Sequence, residues 1–516
     1  MRVREFYRVL KEEILKNKIL MVCLSLVTAG AYGFAITHYS IGVDDPAAFR
    51  YVHSYGASSL VDQGRLLHLL LDKLTGYVEF TPFLGEFVAV LLFFASALLW
   101  CALLAAVCQK KKASTAALTV FACLYISYPI INEKFIYHLD VIVTMLSYTL
   151  CVLSLWFCCE LAFHRRWSCA AAAVLLQMGA IASYESFHAV FLCGTFLILI
   201  LYYLGQAQPQ EKKLGFIVAK GLWFAGMFAV SFLAYRVLSG VARHLLNPQS
   251  TFVRDSIWNN GNGLLSNLRL CLKNIRYNLS NVEYLSVTIF LIACALALIL
   301  GVVLALRHRS VTLLLLFAGL GISNFLLPIA AGMVLYRASL SFTLFCAFLF
   351  FLLMQSLEGH RGLIWCRRGV TALLILLIFL QTRDLNQWFY HDYVRFQKEE
   401  FAVRQIATQL QAQCDVTKPV VFTGKGPEYL RSQTSPSQVN GYSVVGWGIG
   451  TFSDPRSVEL HHVFEMLGYD FVRMPTLEQA LRGKELSRQM DAGWPQENSI
   501  QEFEDIIVVN FAAGTN

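Results

Sequence analysis

The feature that most constrains this chain is a series of long stretches almost free of charge. Residues 19–37, 285–306 and 338–357 contain no Asp, Glu, Lys or Arg, and residues 83–107 contain only Glu86. Runs of about eighteen or more apolar residues with no polar stripe of helical period read as helices that cross a bilayer. Composition agrees: 56% of residues are hydrophobic and 15% charged, whereas soluble domains carry about a quarter charged residues.

The runs predict a mainly α, polytopic membrane protein with about eleven transmembrane helices. These fall at residues 19–37, 83–107, 113–131, 141–163, a hairpin of two within 169–204, 216–235, 285–306, a run ending at 328, 338–357 and 370–382. The last is the shortest, and an extension towards Trp388 and Tyr390 suits a membrane interface. The net charge of +8 gathers beside the runs: six basic residues in the opening eighteen, then Lys110 to Lys112, Arg165 and Arg166, Lys212 and Lys213, and Arg307 to Arg309. Such clusters mark the cytoplasmic ends of spans, not a nucleic-acid surface. The N-terminus is therefore expected in the cytoplasm. Two polar loops, 38–82 and 236–284, are expected on the other side.

The chain thus divides into a transmembrane part, 1–390, and a tail, 391–516. Within the tail, QKEEFAVRQIATQLQAQ has helical periodicity, and KPVVFTG and FEDIIVVNF read as buried strands. HHVFEMLGYDF fits a helix ending near Gly468. A small extracytoplasmic α/β domain is expected. GWGIG in the same region has neither the following helix nor the spaced acid of a dinucleotide-binding turn.

Chemistry-bearing residues collect in the loops of one face. YSIGVDDPAAFR, just after the first span, sets Asp44 beside Asp45. A carboxylate pair can remove a proton from an attacking hydroxyl, hold a divalent cation such as Mg2+ or Mn2+, or both. An ordinary helix cap ahead of Pro46 is the bland alternative. The same loop carries Arg50, His53, Arg65 and His68, the last two in the amphipathic stretch GRLLHLLLDKL, and Arg65 can meet a phosphate or simply lipid headgroups. NEKFIYHLD crowds Glu133, Lys134, His138 and Asp140 into one short turn, which would otherwise be a solvated connection. Tyr184 and Glu185 interrupt an almost charge-free hairpin. Arg337, at the start of the tenth span, has a fork suited to two phosphate oxygens, though basic anchors are common there. No Ser-His-Asp spacing, phosphate-binding glycine loop or thiolate metal pattern is present.

Taken in order, IGVDD with GRLLH downstream, PIINEKFIYHLD, ASYESF, LYR and the closing GWPQENSIQEFEDIIVVNF resemble the GtrII-type bacterial glucosyltransferases, with a GT-C-like architecture. The resemblance implies a multi-pass enzyme of the bacterial cytoplasmic membrane. It would take a sugar, typically glucose, from an undecaprenyl-phosphate carrier and pass it to a cell-surface or lipid-linked polysaccharide, as in O-antigen modification of the cell envelope. Transfer would occur on the non-cytoplasmic face with inversion at the anomeric carbon. It further implies that the first-loop acid, here Asp44 or Asp45, is the catalytic or metal-binding group and that Arg337 holds the carrier phosphate; by its place in the loop, Arg65 is expected to join Arg337 there. On the reading of the loops themselves, Glu133, His138, Asp140, Tyr184, Glu185 and His68 are expected to line the pocket. The family's usual tyrosine-glutamine at the hairpin turn stands here as Tyr184-Glu185. The competing classes are a flippase or transporter, which calls for paired halves with mid-membrane charges that the sequence lacks, and a polymerase of lipid-linked saccharides.

Overall fold

The computed structural model describes residues 3–46, 60–75, 81, 83–108, 113–205, 212–247, 263–280, 284–331, 336–358, 361–426, 430, 443–450 and 454–511. Among them, eight helices are long and apolar enough to cross a membrane: Lys18–Thr37, Leu84–Val107, Thr115–Phe135, Asp140–His164, Phe187–Gly205, Leu214–Leu246, Leu285–His308 and Ile364–Gln413. Three shorter apolar helices, Ser168–Ile181, Val311–Ser323 and Ser341–Leu357, stand where the other expected spans fall.

The elements used below are α1 (Lys18–Thr37), α2 (Leu66–Thr75), α3 (Leu84–Val107), α4 (Thr115–Ile126), α5 (His138–His164), α6 (Ser168–Ile181), α7 (Phe187–Gly205), α8 (Leu214–Leu246), α9 (Leu264–Ser280), α10 (Leu285–His308), α11 (Val311–Ser323), α12 (Ser341–Leu357) and α13 (Ile364–Gln413). Caps set several boundaries. The Asn17 side chain accepts from the Leu20 amide at 3.2 Å, and Ser114 accepts from Ala117 at 3.1 Å, satisfying first-turn donors that have no helical partner. Arg165, Asn247 and Arg309 end α5, α8 and α10 in left-handed conformation.

Buried side chains of α1, α3–α8 and α10–α13 join in one apolar core. Several polar atoms inside it pair internally, which a low-dielectric surrounding favours. Tyr32 Oη donates to the Ile126 carbonyl at 2.7 Å, and Ser127 Oγ donates to Gln381 Oε1 at 2.7 Å, tying α13 to α4.

Several expectations need correction. The segment between α4 and α5, expected as a short loop, coils through Pro129–Ile131 and Asn132–Phe135, and Glu133 and Lys134 are buried, against the bland alternative of a solvated turn. Residues 236–246, expected in a polar loop, continue α8 as helix, and 264–280 form α9; residues 248–262 lie outside the described ones. The expected eleventh span and the tail's first helix are one unbroken element, α13, of 50 residues. At 1.5 Å per residue it is about 75 Å long, over twice the hydrocarbon thickness of a bilayer. Its buried residues include Leu374, Gln381, Trp388, Arg395, Val403 and Leu410, which recur every seven or eight positions, two helical turns, so one stripe serves the bundle core and then the tail core. Residue 390 lies within this helix.

Beyond α13 the chain forms β1 (Val420–Thr423), α14 (Val444–Gly450), α15 (Val458–Met466), α16 (Leu477–Ser487), β2 (Ile500–Glu502) and β3 (Ile507–Asn510). The strand order is β1-β3-β2. β1 and β3 run parallel with Val420 opposite Ile507, and β2 runs antiparallel to β3 with Ile500 opposite Val509. GWGIG is itself helical, within α14. The tail core takes in Ile41, Val43, Ile136 and Tyr137 from the inter-helix segments, so the first loop packs into the tail.

Candidate functional site

The first loop reaches the site through a short alternation. Ile41 and Val43 are buried, Asp44 between Val43 and Asp45 is exposed, and Asp45 is buried again. Burying the two apolar side chains leaves Asp44 facing out. The chain then folds back tightly: the Gly42 amide donates to Asp45 Oδ2 at 2.7 Å, and the Asp45 amide donates to the Gly42 carbonyl at 3.2 Å. A methyl group on Gly42 would collide with the Ile136 carbonyl oxygen, so only glycine allows this approach.

Asp45 belongs to a buried chain of charged groups. His138, the first residue of α5, has Nε2 3.9 Å from Asp45 Oδ2 and Nδ1 against Glu86 Oε1 at the start of α3. His138 Nε2 also lies 2.5 Å from the Ser40 carbonyl. Burial pushes the Asp45 carboxyl up to about 7, against the opposing pull of His138 and the Gly42 amide. Burial alone would lower His138; Asp45 and Glu86 outweigh it and raise the imidazole to about 9.

A second cluster surrounds Asp140, two residues further along α5. Arg65 Nη1 lies 3.1 and 3.0 Å from the two Asp140 oxygens, His68 Nε2 lies 3.7 Å from Oδ1, and Lys134 Nζ lies 4.0 Å from Oδ2. Tyr184 meets two cations, with Lys134 Nζ 3.4 Å and Arg65 Cζ 5.0 Å from its ring centroid. Burial lowers His68 to about 4, so its imidazole is neutral near pH 7. Arg65 and Lys134 then give the cluster more positive than negative charge.

Asp44 faces both clusters. It keeps solvent access yet stands deep among protein atoms, and this crowding raises its carboxyl, while Arg337 above all, then Arg65 and Lys134, draw it back down. Arg337 lies 4.7 Å over the Tyr137 ring and donates to the Tyr137 hydroxyl. It also feels the charges of Asp44 and the buried Glu133. From the tail, Glu459 in the first turn of α15 feels Asp44. The arrangement is an accessible carboxylate ringed by cations, at the bundle end where α1, α4 and α6 finish and α3, α5, α7 and α12 begin. It can accept a proton beside a site for an anion.

Asp44, Asp45, Arg65, His68, Glu133, His138, Asp140, Tyr184, Glu185 and Arg337 thus gather at one end. Glu185 is partly exposed, and its charge bears on Arg65 and Tyr235. Arg50 and His53 lie outside the described residues. Asp44 and Asp45 meet different surroundings, one open and one buried, and among the described residues no group of three or more His, Cys, Asp or Glu is disposed to hold a metal ion. Glu86, Tyr137 and Glu459 were not anticipated. Glu86 had a signal, as the lone charge in residues 83–107; Tyr137 and Glu459 had none.

No curated protein matches the chain. A family model described as Glucosyl transferase GtrII matches residues 33–354, which holds all ten expected site residues and ends before α13 and the tail. That match spans well over half of the 516 residues, and the chain therefore belongs to the GtrII glucosyltransferase family.

Proposed function

We propose that this glucosyltransferase takes glucose from an undecaprenyl-phosphate carrier and passes it to a cell-surface or lipid-linked polysaccharide, with inversion at the anomeric carbon. Transfer takes place on the non-cytoplasmic face of a bacterial cytoplasmic membrane. The protein is of GT-C type, with about eleven spans, a cytoplasmic N-terminus and a tail on the side where transfer occurs. The observation that carries this is Asp44: the accessible carboxylate of the first loop, facing Arg337, Arg65 and Lys134. A lipid-carried donor needs that pairing beside the membrane, because its phosphate leaves with an extra negative charge while the acceptor hydroxyl loses a proton.

In the reaction, Asp44 accepts the proton of an acceptor hydroxyl as that oxygen attacks the anomeric carbon of glucose. The bond from that carbon to the phosphate oxygen breaks, and the polyprenyl phosphate departs with the electron pair. Arg337 meets the developing charge, with Arg65 and Lys134 adding positive field. Crowding raises Asp44, which makes it a better base. Asp45, buried on Gly42 and His138, positions the loop.

The test is incubation of purified protein with polyprenyl-phosphate-glucose and the acceptor glycan, followed by mass analysis of lipid and glycan. Appearance of glucose on the glycan with free polyprenyl phosphate supports the proposal. Glucose that changes leaflet in proteoliposomes with its carrier bond intact indicates a flippase instead. The same assay with EDTA, then with Mg2+ or Mn2+ restored, tests the divalent-cation role of Asp44 and Asp45, against which stand the cations already facing Asp44.

A further inference from the structure

Outside the span matched by the family model, α13 carries a buried ionic cluster with no evident purpose in crossing a membrane. Asp392, Arg395 and Glu399 are spaced three and four residues apart, so they share one helical face, and each is at most 3% exposed. Arg395 Nε donates to Asp392 Oδ1 at 2.9 Å, and its Nη1 reaches Glu399 Oε2. Its remaining nitrogen, Nη2, donates to the Ile41 carbonyl at 2.7 Å. Ser40 donates to the other oxygen of Asp392, and the other oxygen of Glu399 accepts from the Val445 amide of α14 at 3.3 Å.

The cluster therefore joins three parts of the molecule: Arg395 ties the long helix to the first loop, and Glu399, which Arg395 holds, ties it to the tail. Burying three charges costs free energy that their mutual attraction only partly returns, so such a cluster is weak evidence of a stability role. What it supplies is a fixed geometry. Arg395 holds the Ile41 carbonyl, one residue before Gly42 and three before Asp44. The Ser40 carbonyl beside it is in contact with His138, so both ends of the Ser40–Ile41 pair are held.

We propose that Arg395 is a positioning residue for the first-loop acid, and that through it the tail sets where Asp44 stands relative to Arg337. This rests on the assignment of Asp44 as the base. A displacement of about 1 Å in a catalytic group can cost on the order of a hundredfold in rate, so the joint governs turnover and not donor affinity.

The experiment uses the full-length protein in lipid nanodiscs, with Arg395→Met, Arg395→Lys and the milder Ser40→Ala and Asp392→Asn. For Arg395→Met, kcat falls about tenfold or more while KM for polyprenyl-phosphate-glucose stays within about twofold, since Arg337, Arg65 and Lys134 are untouched. Lysine, which keeps the charge without the fork, recovers part of the loss. Amide hydrogen exchange over residues 40–46 rises in Arg395→Met, in Ser40→Ala and in Asp392→Asn. Wild-type kcat with wild-type exchange over that segment in a folded Arg395→Met protein overturns the proposal. So does a kcat loss that tracks the melting temperature with exchange unchanged. If Arg395→Met does not fold, unchanged exchange and kcat in both milder variants overturn it equally. A wild-type protein that fails to use this donor rejects the donor assignment alone, and the exchange measurement still decides on the joint.

Discussion

A single nitrogen of Arg65, Nη1, spans both carboxylate oxygens of Asp140, at 3.1 and 3.0 Å. The two residues are 75 positions apart in sequence, so this contact pins the start of the amphipathic α2 to the head of α5, beside Asp44. Removing the anion leaves Arg65 and Lys134 in a buried site without their counter-charge. Asp140→Asn is therefore expected to destabilise the protein by about 3 kcal/mol or more, with melting temperature and transfer falling together in detergent.

Asp44 should behave differently. Its side chain keeps solvent access, so Asp44→Asn lowers the melting temperature less than Asp140→Asn does. Transfer should drop by about a hundredfold or more, the ordinary share of a general base. Asp45→Asn should lose less. Transfer rates of the two single variants, normalised to folded protein, check the division of roles; equal rates for Asp44→Asn and wild type would remove Asp44 from the mechanism.

His68 gives a pH signature. Burial holds its folded pKa near 4, below the ordinary 6.5. Between those values the unfolded chain binds the proton and the folded one does not. The stabilisation is therefore complete above about pH 6.5 and is lost as pH falls through about 4. His68→Gln cannot titrate, so its melting temperature should fall less steeply than wild type between those limits. Parallel curves for the two proteins would contradict a buried, neutral imidazole.

Gly42→Ala tests the turn that presents the acids. Its methyl group would meet the Ile136 carbonyl and crowd Asp45 Oδ2 at 3.1 Å. Backbone against backbone cannot give way cheaply, and overpacking of this kind costs about 1–3 kcal/mol. The expected outcome is a lowered melting temperature and a fall in kcat larger than that of an alanine placed at Gly33, where a methyl meets nothing within 4 Å.

The helices of the bundle were legible because a bilayer imposes one strong rule, an unbroken apolar run, and residues such as those of 285–306 obey it without exception. β1 and β3 were legible for the same reason on a smaller scale, as short Val- and Ile-rich stretches. The chemistry was half legible. Asp44, Arg65, Asp140 and Arg337 stand out as charges near the ends of apolar runs, but which of them meet is settled by folds in the connecting segments that no periodicity records. Lys134 illustrates this: in a nine-residue polar turn it looks solvated, yet it is buried against the Tyr184 ring. Asp392, Arg395 and Glu399 were less visible still. Their spacing places them on one face, but nothing in the sequence says what that face packs against. Only the partner surfaces, Ser40, Ile41 and Val445, reveal it as an inside.

The continuity of α13 has a mechanical side. A helix with no hinge behaves as a stiff lever. A change of about 5° in its inclination, pivoting at Val370, carries Leu410 through about 5 Å, from the 1.5 Å rise over the intervening turns. Helices adjust their inclination to the thickness of the surrounding hydrocarbon. Ile41 and Leu410 share one core, so such a tilt carries the first loop along with the tail and moves both relative to the bundle.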